Sequence, residues 1–415
     1  MKKKTLIALA LLLGFTAVSV PAEAHAGFHR VAYFIQWGVY GRDFHVKDMD
    51  ASGAAAKLTH VNYAFGFVDA DSDCYSADPW ADWQRPVPAE QSVDGVADAP
   101  GQALNGNLNQ LRKLKARHPH LKILISLGGW TGSKHFSDAV LTAESRARLA
   151  RSCIDLWLRG NLPGLEPGAG AGVFDGIDLD WEWPGSTGAD GNVIRPEDKR
   201  NFTLFVAELR SQLRDHSRSA QLTAFLPAAA AKIDAGFEVR RVFEQLDFAT
   251  LQGYDLRGSW EPRTGHNGNL FTDPRDPNPV RYSVDQTVRD YLSRGAPARK
   301  LVVGVPAYGQ GWTGVTGGGD GLHEPATGPA PGTWAAGTED YKDLVTKPGT
   351  RYRDLRTGTV WRYDGNEFWS YDDPATLLQK AAYIRLRGLG GSMMWSIDQD
   401  DSRASLTSAL YSVLR

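Results

Sequence analysis

The stretch Phe174-Asp-Gly-Ile-Asp-Leu-Asp-Trp-Glu-Trp-Pro184 sets an acid at every second position from Asp178 to Glu182. Alternate side chains of a β-strand point to the same face, so Asp178, Asp180 and Glu182 share one side and step by roughly 6–7 Å. Ile177, Leu179 and Trp181 share the other, which reads as packing under a covering layer. A polar ladder facing water would not have so apolar a reverse side. Three like charges in a row cannot all ionise cheaply, so at least one pKa should be raised. The pattern reads as a carboxylate relay ending in a catalytic acid.

Strand-like runs recur on both sides of this segment. They are Val31–Trp37, His60–Val68, Lys122–Gly128, Val173–Trp183, Leu222–Pro227, Phe248–Tyr254, Leu301–Pro306 and Gly391–Ile397. Several are almost continuously apolar, as strands covered on both faces should be. Helical periodicity falls between them, over Asn107–Arg117, Glu144–Arg159, Pro196–Asp215, Val284–Arg294 and Pro374–Arg387. Eight strand–helix units predict an α/β fold, a (β/α)8 TIM barrel. An open doubly wound sheet is the competing architecture, weakened by the lack of a Gly-rich phosphate loop after the first strand. Two intervals break the alternation. Residues 310–371, rich in Gly, Thr, Tyr and Trp, read as a small α+β insertion, leaving 27–309 and 372–415 as the barrel. Residues 69–106 form a long excursion of the kind that is usually functional. No appended binding module is expected.

The charge of the 415-residue chain is nearly balanced, with a formal net of −2, so neither nucleic acid nor a membrane surface is an expected partner. Its 13 Trp and 14 Tyr suit a ligand with flat apolar faces, such as a sugar polymer. Lys2, Lys3 and Lys4, the apolar run Leu6–Phe15 and the small residues Ala22, Ala24 and Ala26 form a secretory signal peptide over 1–26. Export and a soluble, extracellular, monomeric protein follow as expectations, with no lipid anchor because no Cys lies near the cleavage site. The two cysteines, Cys74 and Cys153, are permitted to pair in that setting, though their spacing leaves the bridge open. With no His cluster beside them, no metal or other cofactor is expected.

With Asp175, Asp178, Asp180 and Glu182, the acidic stretch resembles the DxxDxDxE signature of family-18 glycoside hydrolases, specifically the bacterial chitinases that carry an insertion between the seventh and eighth barrel strands. Ser126-Leu-Gly-Gly-Trp130 is similar to that family's SxGG motif, and Gln252-Gly-Tyr-Asp255 to its Tyr-Asp pair. Gly304–Gly309 and Gly388–Trp395 look like its seventh- and eighth-strand signatures. Gln252 stands where many relatives have Met, and Ala307 and Gln310 replace an aromatic residue and an Arg, which touches subsite preference rather than the acidic row.

The resemblance implies hydrolysis of β-1,4 bonds in chitin and N-acetylglucosamine oligosaccharides, with retention. Glu182 is the expected general acid and later base. No second carboxylate stands out as nucleophile, and the resemblance supplies the substrate's own N-acetyl oxygen instead, by way of an oxazolinium intermediate. Asp180 would hold the acetamido N–H, Asp178 would share its proton, and Tyr254 would position the acetamido oxygen. Asp175, out of phase with the row, reads as structural. The residues expected to contact sugar are Asp255, Trp395, Trp130, Trp260, Gln252 and Ser126, the last as a donor supporting the acidic row. Asp255 could equally anchor its own loop. Trp37, Trp80 and Trp83 are weaker candidates along the cleft or its rim, with ordinary packing the favoured reading. Two other functions fit the same residues: an endo-N-acetylglucosaminidase acting on glycoprotein glycans, and a chitin-binding lectin on the same barrel. The insertion argues against the first and the presence of Glu182 against the second.

Overall fold

The computed structural model describes residues 27–415, so the signal-peptide expectation lies outside the described residues. Eight parallel strands close on themselves: β1 (His29–Ile35), β2 (His60–Val68), β3 (Lys122–Gly128), β4 (Gly176–Asp180), β5 (Gln221–Leu226), β6 (Phe248–Leu251), β7 (Leu301–Pro306) and β8 (Gly391–Trp395). Each pairs with the next in chain order. The ring closes where β8 lies beside β1 through Val31↔Met393. The (β/α)8 barrel is therefore the architecture, and the open sheet is excluded by that closure.

Burial on both faces explains the apolar runs. Ile177 and Leu179 of β4, and Trp181 just past its end, face outward into the layer under the helices, with Trp181 stacked on Phe136 at 5.4 Å. Inside the ring, Val31, Tyr33, Phe248, Val302 and Met393 fill the barrel. Fully burying such a side chain contributes about 1.5–3 kcal/mol, so the two layers together hold the ring shut. The helices Gly106–Arg117, Asp198–His216, Val284–Ser293 and Pro374–Leu386 lie within a few residues of the periodic segments. The segment read as one helix from Glu144 is two pieces, an α-helix over Ala143–Cys153 continued by a wider π turn over Ile154–Leu158.

Among the strand ends that differ from expectation, two shape the site. β4 stops at Asp180 rather than running to Trp183, so Glu182 lies past the strand and not on it. The end of β3 lies tightly against this point: Gly129 donates its N–H to the Asp180 carbonyl at 2.8 Å. A Cβ on Gly128 would sit 2.4 Å from that same carbonyl oxygen, and Gly128 holds φ +111°. Only glycine fits there, which is what the Gly-Gly of Ser126–Trp130 supplies. β6 likewise ends at Leu251, leaving Tyr254 on the loop that follows.

After β7 the chain builds an antiparallel sheet from Tyr308–Thr313, Gly328–Pro329, Thr338–Asp340, Thr350–Asp354, Thr359–Tyr363 and Phe368–Tyr371. Its own core includes Trp312, Trp361 and Phe368. The first of these strands begins at Tyr308, two residues before the position read from the sequence. In the excursion after β2, Cys74 is bonded to Cys153 on the helix Ala143–Cys153. That bridge closes a loop with a sequence separation of 79 residues. Replacing Cys74 and Cys153 together by Ser should lower the unfolding free energy by roughly 2–4 kcal/mol. Denaturant melts of the two proteins in water check this, and equal midpoints would show that the bridge contributes nothing.

Candidate active site

The C-terminal ends of the eight strands open into one cleft of about 860 Å³. Asp180 and Glu182 reach it from the end of β4, Gln252, Tyr254 and Asp255 from the loop after β6, and Trp395 from the end of β8. Trp130 and Trp260 also line it, 51 % and 62 % exposed. Of the expected sugar contacts, five line the cleft. Ser126 is the correction: it is wholly buried and donates to Asp178 Oδ2 at 2.8 Å, so it supports the acid without facing the cleft.

Asp178 also lies beneath the cleft rather than in it. Besides Ser126 it accepts the Tyr33 hydroxyl at 2.8 Å and the Thr223 hydroxyl at 2.5 Å. Burial raises its pKa, and these three donors offset part of the rise by favouring the charged form. Asp180, one step closer to the cleft, has no such help. Its Oδ1 is buried without a hydrogen-bond partner. Burial, then the nearby Glu182 and Asp178, push its pKa well above the carboxylate range. Glu182 is raised first by burial and then by Asp255, with Lys232 pulling the other way. Its backbone is pinned on both sides: its N–H donates to Ser133 Oγ at 2.9 Å and its carbonyl accepts Asn192 Nδ2 at 2.9 Å. These ties hold a carboxyl at the cleft wall where strand pairing no longer reaches.

Asp255 is held harder than a free loop residue. It takes φ 53°, in the left-handed region that Asp tolerates, and its N–H donates to Asn267 Oδ1 at 2.8 Å. Tyr308 Oη and Gln310 Nε2 both donate to its Oδ1, at 2.7 and 2.8 Å. Tyr254 packs face to face with Phe225 at 6.0 Å, and burial raises its pKa well above that of a free phenol. Trp395 stacks on Phe65 at 5.7 Å, and Phe65 stacks in turn on Trp37 at 6.2 Å. Trp37 therefore lines the cleft, 40 % exposed, the less favoured of its two sequence readings. Trp83 packs in the core, and Trp80 is exposed outside the cleft lining.

Several residues escaped the sequence reading. Tyr33 and Thr223 sit on β1 and β5 with nothing local to mark them as partners of Asp178. Trp183 was expected only as part of the strand, yet it lines the cleft with Lys232 Nζ 5.3 Å above its ring. Asp175 stays at the far end of β4, bound to Lys115 at 2.8 Å and to the Ile123 N–H at 2.9 Å, a structural post as its phase implied. Among the described residues no cluster of His, Cys, Asp and Glu is placed to hold a metal ion.

Residues 29–400 match the family described as Glycosyl hydrolases family 18. The chain belongs to this family. It is 40 % identical over 379 residues to Chitinase C of Streptomyces lividans, covering 89 % of this chain and 57 % of that one. Chitinase 63 of Streptomyces plicatus is 39 % identical over 388 residues, with 93 % and 60 % covered. The chain thus spans less than two thirds of the length of these relatives. The catalytic domain of psychrophilic chitinase B from Arthrobacter TAD20 superposes with a TM-score of 0.91 at 45 % identity, over 94 % of this chain and 95 % of that one.

The electrostatics of this family-18 site make a pH prediction. Burial raises both Asp180 and Glu182, and repulsion between them disfavours ionising the second once the first is charged, so making one permanently neutral lowers the pKa of the other. Asp180→Asn should shift the basic limb of the kcat profile to lower pH and reduce kcat by roughly 10²-fold or more. Profiles of both proteins on one soluble N-acetylglucosamine oligomer check it. An unshifted limb with undiminished rate would mean that the two acids are not coupled.

Proposed function

We propose that this protein hydrolyses β-1,4 bonds of chitin and N-acetylglucosamine oligosaccharides with retention, the substrate's acetamido group acting as nucleophile. The observation that carries this reading is the pairing of a raised, backbone-pinned Glu182 with the buried Asp180 in a cleft of aromatic faces. Glu182 keeps its proton into the neutral range and delivers it to the leaving glycosidic oxygen. The acetamido oxygen attacks the anomeric carbon on the opposite face, forming a bicyclic oxazolinium. Asp180, with its unpartnered Oδ1, accepts the acetamido N–H and sets its charge against the cationic ring. Asp178 keeps company with three donors, so the proton shared between the two Asp residues favours Asp180, from which it can move as charge develops. Tyr254 aims its hydroxyl at the acetamido oxygen, and Trp395 forms the apolar floor under the sugar. Glu182, now ionised, then takes a proton from the water that opens the oxazolinium.

The antiparallel sheet after β7 raises one wall of the cleft through Tyr308, which favours a polymer over a glycoprotein glycan. Residues 1–26 serve as the export leader, and the protein acts outside the cell as a monomer. No helix among the described residues is long and apolar enough to cross a membrane.

Colloidal chitin and an N-glycosylated protein, offered separately, distinguish the candidate activities. The reading expects soluble N-acetylglucosamine oligomers from chitin, released first as the β-anomer by NMR. Glu182→Gln should retain oligosaccharide binding while hydrolysis falls by about 10²–10⁴-fold or more, because the substitution removes acid and base together. Release of glycans alone, binding without cleavage by the wild type, or near-normal turnover by Glu182→Gln would each overturn the assignment.

A further inference from the structure

Lys232 is the one basic residue among those lining the cleft. It projects from the helix Ala230–Gly236 just after β5, its ammonium over the Trp183 ring at 5.3 Å. No carboxylate lies within ion-pair distance of its Nζ among the described residues. Of the acids lining the cleft, Glu182 is the one that Lys232 acts on, while Glu261 is paired with Arg257 at 3.1 Å and Asp255 is held by Tyr308 and Gln310. With Glu182 holding its proton, the Lys232 ammonium faces the cleft without an ion-pair partner. Around the ring, β5 is four strands from β1, so Lys232 and Trp37 stand at opposite ends of the cleft mouth. Between them, Trp395, Phe65 and Trp37 form the aromatic run on the β8–β1–β2 side, and Glu182 and Trp183 lie on the Lys232 side.

This geometry gives the charge a place along the substrate. Glu182 hands its proton to the oxygen of the departing sugar, and the Lys232 ammonium lies over Trp183, the residue that follows Glu182, on the β5 side of the ring, whereas Trp395 ends β8. Resting on the proposed hydrolysis, we propose that Lys232 is a specificity-determining residue that disfavours a deacetylated sugar, glucosamine, immediately on the leaving-group side of the scissile bond. An N-acetylglucosamine there is neutral and its acetamide tolerates the ammonium. A glucosamine carries a protonated amine, and two like charges in a cleft walled by apolar rings repel more strongly than in bulk water. The selection is separate from the demand for an acetyl group on the other side of the bond, which comes from the nucleophile.

Soluble, partly N-acetylated chitosan at mildly acidic pH, where the amines are charged, reads both selections at once. New reducing ends report the sugar before the bond, and new non-reducing ends report the sugar after it. The wild type should leave glucosamine depleted at new non-reducing ends. Lys232→Gln should raise its share there about threefold or more, and Lys232→Glu further still, while Lys232→Arg keeps the wild-type distribution. Raising salt from about 0.01 to 1 M shortens the screening length from about 30 to 3 Å and should relax the wild type toward Lys232→Gln without any substitution. Glucosamine at its polymer abundance in the wild-type non-reducing ends would overturn the proposal. So would a distribution that neither Lys232→Gln nor salt alters. Frequent glucosamine at the new reducing ends would instead contradict substrate assistance, leaving the role of Lys232 to be judged from the non-reducing ends alone.

Discussion

Taking a carboxylate out of water costs several kcal/mol unless donors replace the lost hydration. Three carboxyl groups stand in a row at the end of β4, and the protein provides for them unequally. Asp178, deepest, receives hydroxyls from three different strands, β1, β3 and β5. Asp180 receives none at Oδ1, and Glu182 is tied by its backbone rather than by its carboxyl. That gradient of solvation sets a gradient of proton affinity along one line of side chains. The chemistry proposed here needs such a gradient: a charge at the base, a mobile proton in the middle and an acid at the cleft.

The barrel around the row can be read as its support. Gly128 and Gly129 let β3 approach the Asp180 carbonyl, and β1 and β5 bring the hydroxyls that Asp178 needs. On the opposite side of the cleft a second buried charge cluster ties three loops together. Arg42 pairs with Asp340 at 2.6 Å and with Asp398 at 3.0 Å and stacks on Trp334 at 4.7 Å. Asp398 accepts the Ser396 hydroxyl at 2.6 Å, next to Trp395. The loop bearing Trp37, the antiparallel sheet and the platform at the end of β8 are thereby locked to one another, so the aromatic run keeps its line.

Much of this was legible in the sequence, and the reasons for the rest are physical. β2, β3 and β7 have the boundaries read from their apolar runs because both of their faces are buried and their ends are marked by turn residues. The face shared by Asp178 and Asp180, and the outward face of Ile177 and Leu179, followed from the two-residue period. Glu182 did not, because its position depends on Ser133, 49 residues earlier, and on Asn192 in the loop that follows. The hydroxyls of Tyr33 and Thr223 were invisible for the same reason: a Tyr or Thr on an apolar strand carries no local sign of what it faces. Trp37 was assigned to packing because an exposed ring against a cleft and a buried ring against a core look alike in one dimension. The helix Ala230–Gly236 has too few residues to show a period, and with it Lys232 went unread. Gln310 was noticed as a departure from the family, and its contact with Asp255 needed the fold to bring a sheet strand to the loop after β6.

The central claim is that Asp180 and Glu182 together retain protons at neutral pH, where isolated carboxylates are ionised. Difference infrared spectroscopy of the free enzyme reads this directly, because a protonated carboxyl absorbs apart from a carboxylate. At neutral pH the wild type should show a carboxylic-acid band that diminishes in Asp180→Asn and in Glu182→Gln. It should fade only when the pH is raised well above the ordinary carboxylate range. A wild-type spectrum with both side chains fully ionised at neutral pH would contradict the account.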